Sequence, residues 1–80
     1  MVKFYKAYAR QGGGRGAFLI YLNPEMVSAV RIDGPNNDGT YWVVLDYVGG
    51  SVIVDECPDY VEARYSQKRH TEALEAMRDG

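Results

Sequence analysis

The sequence predicts an α+β fold: an antiparallel sheet of about five strands with a C-terminal helix packed across one face. Three observations carry this reading. Short runs rich in Val, Ile and aromatic residues recur up to residue 55, each bounded by Gly, Pro, Asn or Asp. Two of those runs are joined by Gly49-Gly50, a hairpin signal. From Pro58 onward the apolar spacing changes from two to three and four, the period of a helix.

Each element has its own signal. "VKFYKAYA", residues 2–9, alternates, with Val2, Phe4 and Tyr8 on one side and Lys3, Tyr5 and Ala7 on the other. "AFLIYL", residues 17–22, is a continuous apolar run, the pattern of a strand covered on both faces. Asn23-Pro24 ends it, because proline lacks the N–H a ladder needs. "MVSAVRI", residues 26–32, reads as a third strand, and "DGPNNDG", residues 33–39, as a loop. "TYWVVLDYV" and "SVIVD" then form the hairpin around Gly49-Gly50. Pro58 suits a first helical turn, with Asp59 and Glu62 where a helix start favours negative charge. Tyr60, Ala63, Gln67, His70, Leu74 and Met77 fall on one helical stripe. Val61 and Tyr65 fall off it, so the helix either buries a broad face early or breaks near Ser66-Gln67. The expected interior is Phe4, Phe18, Ile20, Val43, Leu45 and Ile53, with several tyrosines outside.

Eighty residues make one small domain, residues 1–80, near the size at which a single core suffices. Cys57 is the one cysteine, so no intrachain disulfide reinforces that core; a lone cysteine suits a reducing compartment. The first residues hold no apolar run of signal-peptide or membrane-helix length, which points to a cytoplasmic protein. A small core with seven tyrosines and an apolar helix stripe also points to a homodimer.

The net charge of −2 conceals a segmented layout. Residues 1–31 carry five basic side chains and one acidic; residues 32–63 carry seven carboxylates and no Lys or Arg. The segments suggest two surfaces. "QGGGRG", residues 11–16, is one place to test for chemistry. A phosphate-binding loop needs its glycines to lead into a helix N-terminus. Here Arg15-Gly16 leads into a strand-like run, so the stretch reads as a hairpin loop.

The catalytic options fail on inventory. His70 is the one histidine, and helical spacing puts it about 20 Å along from Cys57, at 1.5 Å per residue. One Cys and one His make no metal site, and "DGPNNDG" lacks the frame of a calcium loop. The residue pattern thus points to a binding protein with no catalytic group, metal or cofactor. Its expected contact residues are Asp46, Asp55, Glu56, Asp59 and Glu62, with Tyr47 and Tyr60 as aromatic anchors. The alternative is an anion- or nucleic-acid-binding module that uses Lys3, Lys6, Arg10 and Arg15. The acidic net charge disfavours direct nucleic-acid binding.

Two resemblances bear on function. The order strand, "NPEMV", strand, hairpin and "DECPDYVEARY" resembles small bacterial proteins of the flagellar-operon FlbD type over about residues 18–65. That likeness implies a strand, a turn, two hairpin strands and a short helix; the basic first strand, glycine loop and charged tail depart from it. As a class, small acidic domains without catalytic residues resemble phage-encoded inhibitors, anti-CRISPR proteins among them. This resemblance implies a protein that occupies the basic nucleic-acid channel of a host effector complex.

Overall fold

The computed structural model describes residues 4–10 and 17–79. Five strands, β1 (Tyr5–Arg10), β2 (Ala17–Leu22), β3 (Val27–Asp33), β4 (Tyr41–Tyr47) and β5 (Gly50–Cys57), form one antiparallel sheet in the order β2-β1-β5-β4-β3. A single helix, α1 (Tyr60–Asp79), lies across β3, β4 and β5 on one face. This is the α+β architecture that the sequence predicts. No helix among the described residues is long and apolar enough to cross a membrane.

Strand boundaries follow local chemistry. Arg10 pairs with Ala17 across the β1–β2 connection, whose residues 11–16, with the expected glycine turn, lie outside the described residues. After β2, the Asn23 side chain accepts the Glu25 N–H and caps a single 3-10 turn, Pro24–Met26, so β3 starts at Val27. The β4–β5 turn sits on Val48 and Gly49, not on Gly49-Gly50. Gly50 is already paired with Tyr47, and the positive φ falls there, at +143°.

The helix begins at Tyr60, two residues after Pro58. Asp59 stands outside as its cap: the carboxylate accepts the Glu62 N–H at 2.8 Å, and the backbone carbonyl accepts from Ala63. The helix neither breaks at Ser66-Gln67 nor buries a broad early face, since Val61 and Tyr65 are exposed. Ser66 is tolerated inside because its buried hydroxyl donates to Asp55.

The core lies between α1 and the inner faces of the strands. Leu45, Val43, Ala63 and Leu74 are fully buried at its centre, with Tyr5, Ala7, Val27, Val54 and Cys57 around them. Two of the expected interior residues are corrected: Phe4 and Phe18 are 54% and 50% exposed. In β1 the inward side is Tyr5, Ala7 and Ala9, opposite to the side that carries Phe4 and Tyr8. Phe18 shares the helix side with Ile20 and Leu22, but β2 is an edge strand, away from β3, β4 and β5 on which α1 chiefly packs. That position also corrects the expectation that β2 is covered on both faces. Ile20 and Ile53 are half-buried, Ile53 on the face opposite the helix. Tyr60, expected on the buried stripe, is exposed and meets Tyr41 edge to face.

Candidate functional site

The two charge segments become two places on the sheet. The acidic one is decided by a β-bulge. From Tyr47↔Gly50 to Val44↔Ile53 the hairpin pairs without interruption, then Val43 faces Asp55, leaving Val54 as an extra residue in β5. Had the ladder continued without the bulge, Val54 would pair with Val43, Asp55 would share the open face with Trp42, and Glu56 would turn toward the helix. With it, the two carboxylates exchange faces.

Asp55 now points to α1. It accepts from the Ser66 hydroxyl at 2.8 Å and from its neighbour's N–H, and stands 3.7 Å from the Arg69 guanidinium. Its work is to hold the helix on β5. Glu56 emerges on the open face opposite Trp42, where it accepts the indole N–H at 2.9 Å. Beside this pair the loop between β3 and β4 folds back on itself. Asp38 accepts both the N–H and the hydroxyl of Thr40, and Asn36 Nδ2 donates to the Thr40 hydroxyl oxygen. Those two bonds hold the Asp38 carboxyl below its usual pKa. Pro35, Asn36, Asn37, Asp38, Thr40, Trp42 and Glu56 line a hollow of about 610 Å³.

The remaining acidic residues are distributed differently. Asp59 and Glu62 are exposed at the start of α1, with Tyr60 against Tyr41, next to Trp42 in the chain. Asp46 stands four residues from Trp42 along β4 and is already engaged: Ser51 donates to one oxygen at 2.7 Å and Arg31 to the other at 2.9 Å. These bonds, Ser51 first, lower its pKa. Tyr47 is half-buried on the helix side, packed against the core. The geometry therefore brings Glu56, Asp59, Tyr60 and Glu62 to one end and leaves Asp46 and Tyr47 elsewhere. Although residues 32–63 contain no cation, Arg31 and Arg69 reach in from outside the segment to Asp46 and Asp55.

Sequence reasoning passed over Asp38 and Trp42 as site residues. Trp42 as the one tryptophan, close in sequence to a loop rich in Asn and Asp, was the available signal.

The basic segment occupies the open face of β1. Lys6, Tyr8 and Arg10 are exposed and alternate onto one side, with Tyr21 and Leu19 opposite Lys6 and Tyr8 in β2. Among the described residues neither cation has a carboxylate within ion-pair distance. Lys3 and Arg15 lie outside the described residues.

His70 is half-buried and its Nδ1 meets the Tyr5 hydroxyl, so its ring is used in joining α1 to β1. Cys57 is buried at the end of β5, and burial, then the Asp55 charge, pushes its thiol up to about 11. A thiol so protonated and covered is a poor nucleophile. At pH 8 a thiol reagent is expected to label the folded protein negligibly and the urea-unfolded protein at the rate of a free cysteine; rapid labelling of the folded state would contradict the burial. No three His, Cys, Asp or Glu side chains among the described residues stand together as metal ligands would. Comparison of the chain with protein-family models, with curated proteins and with solved structures gave no match.

Proposed function

We propose that the chain is a non-enzymatic binding protein of the phage-encoded inhibitor kind, which docks its acidic end on a basic, nucleic-acid-binding surface of a host effector complex. The observation that carries the reading is the hollow lined by Asp38, Trp42 and Glu56. An arginine or lysine side chain entering it meets an indole and two carboxylates. Each carboxylate has one oxygen engaged within the protein, Glu56 with Trp42 and Asp38 with Thr40, and the other oxygen accepts from the guest. A cation over an indole adds about 0.5–1 kcal/mol at an exposed site. Asp59 and Glu62 extend the negative field that steers a basic surface toward this end of the molecule, and Tyr60, exposed against Tyr41 on the helix side, supplies an aromatic contact there.

Trp42, as the one tryptophan, reports on this site directly. Titration with an arginine-rich peptide is expected to change its fluorescence saturably, with affinity falling as salt is added. The double variant Glu56→Gln/Asp38→Asn should bind at least about tenfold more weakly, since it removes both charges facing the guest. Lys6→Glu/Arg10→Glu should bind as well or better. Unchanged fluorescence and no bound peptide would overturn the reading.

A second reading, a nucleic-acid-binding module, rests on Lys6, Tyr8, Arg10 and Tyr21 sharing one open sheet face. Cations interleaved with aromatic rings suit a single-stranded polyanion. Saturable binding of a single-stranded oligonucleotide that Lys6→Glu/Arg10→Glu abolishes, with no binding of the basic peptide, would favour it.

A further inference from the structure

The sheet has two edges, and they are built differently. At β3 the edge is protected. An extra residue, Ser28, bulges the strand between Val27 and Ala29, and Arg31 and Asp33 put charges along it. Side chains also occupy its backbone: Gln67 donates to the Val30 carbonyl and Arg78 to that of Val27, while Arg78 also binds the Pro24 carbonyl in the preceding turn. Bulges, charges and covered carbonyls are the means by which proteins stop strands from adding to an edge.

Among the described residues none of these devices is present in β2. Its six residues, "AFLIYL", hold no charge, no proline and no glycine, and they pair with β1 without a register shift. Among the described residues no strand lies beyond it. Phe18, Leu19 and Tyr21 are exposed, so apolar surface stands free on both faces of an edge whose outward N–H and C=O groups lack a strand partner.

We propose that β2 pairs antiparallel with β2 of a second copy of this chain, joining two sheets into one of ten strands. The occupant follows from self-complementarity. A two-fold axis normal to the sheet keeps each face on its own side. Phe18, Ile20 and Leu22 of one copy then border the same residues of the other, and Ala17, Leu19 and Tyr21 do likewise, apolar against apolar with no like charges opposed. The protected β3 edge closes the assembly at two copies, where two open edges would give a fibre. This dimer is located by the β2 edge and not by the helix stripe, which the sheet of the same chain covers. It is independent of the acidic hollow.

Sedimentation equilibrium across micromolar to millimolar concentration tests it. The wild-type chain is expected to pass from the 9.0 kDa species to twice that mass. Leu19→Lys and Leu19→Glu should each weaken the dimer by at least about tenfold, since like charges then meet across the two-fold axis. Mixed in equal amounts, the two variants should associate with each other. Tyr21→Lys gives a second variant at an exposed position, with circular dichroism confirming that each remains folded. Val61→Lys and Tyr65→Lys, on the outer side of α1, should leave the dimer unchanged. A wild-type protein that stays at 9.0 kDa throughout overturns the proposal. So does a dimer that survives Leu19→Lys and Tyr21→Lys, or one that only the helix variants disrupt.

Discussion

Leu45→Ala is expected to destabilise the protein by about 3 kcal/mol, within the 2–5 kcal/mol range for deletion of a fully buried leucine side chain. Leu45 has no exposed surface and lies in β4, flanked in register by Val30 and Val52 and covered by α1. Truncation loses the transfer free energy of the removed carbons and leaves a cavity that paired strands on both sides cannot close. The loss is large against the whole: at roughly 0.05–0.15 kcal/mol per residue, a chain of this length has about 4–12 kcal/mol in total. Thermal unfolding should shift down by about 12–24 °C, from 4–8 °C per kcal/mol in domains of this size. Val61→Ala, at an exposed helix position, should change stability by less than about 0.5 kcal/mol. Equal effects of the two substitutions in urea titrations would mean that the core is not where the sheet and helix place it.

The second large effect concerns the polar link between β1 and α1. Burial raises the Tyr5 pKa, so the phenol stays protonated and donates to His70 Nδ1 when the neutral ring carries its proton on Nε2. Burial also lowers the His70 pKa; the Arg69 charge acts in the same direction, and Asp55 opposes them. A histidine whose folded pKa lies below its unfolded value, about 6.5, binds protons more readily when unfolded. Its contribution is therefore complete above pH 6.5 and is lost as pH falls through the lower, folded value. Between roughly pH 6.5 and 5 the carboxylates remain largely charged, so the slope in that window belongs to His70. Urea midpoints measured there should decline with acidification in the wild type and stay nearly level in His70→Gln. Tyr5→Phe should cost about 1–3 kcal/mol at pH 8, the penalty of a half-buried acceptor without a donor. Stability that rises on acidification would reverse the sign of this account.

The architecture was legible because its signals are local. The glycine run at 11–16, turn residues at 23–24, 33–39 and 49–50 and the change of period after Pro58 locate five strands and a helix from neighbours alone. What was hidden depends on pairing. "AFLIYL" reads as doubly covered because an apolar run has the same sequence at the edge of a sheet as at its centre. In β1 both sides carry an aromatic, Phe4 and Tyr8 against Tyr5, so alternation defines two faces without saying which is inward. Tyr5, Ala7 and Ala9 are the inner set, and two alanines give no apolar signal strong enough to reveal it. The candidate site turned on Val54, the extra residue that exchanges Asp55 with Glu56, and nothing in "SVIVD" marks a bulge. Asp55 therefore became a structural partner of Ser66 and Arg69, while Glu56 gained an unexpected neighbour in Trp42, 14 residues away.

The claim that the acidic end receives a basic partner is read most directly at one proton. The Trp42 indole N–H is bonded to Glu56 at the wall of the hollow, and its NMR signal stands apart from the backbone amides. On addition of an arginine-rich peptide that resonance should move saturably, together with the amides of Asp38 and Thr40, while those of Lys6, Tyr8 and Arg10 stay in place. An indole signal that stays fixed while the peptide binds elsewhere, or while a single-stranded oligonucleotide shifts Lys6, Tyr8 and Arg10, would contradict it.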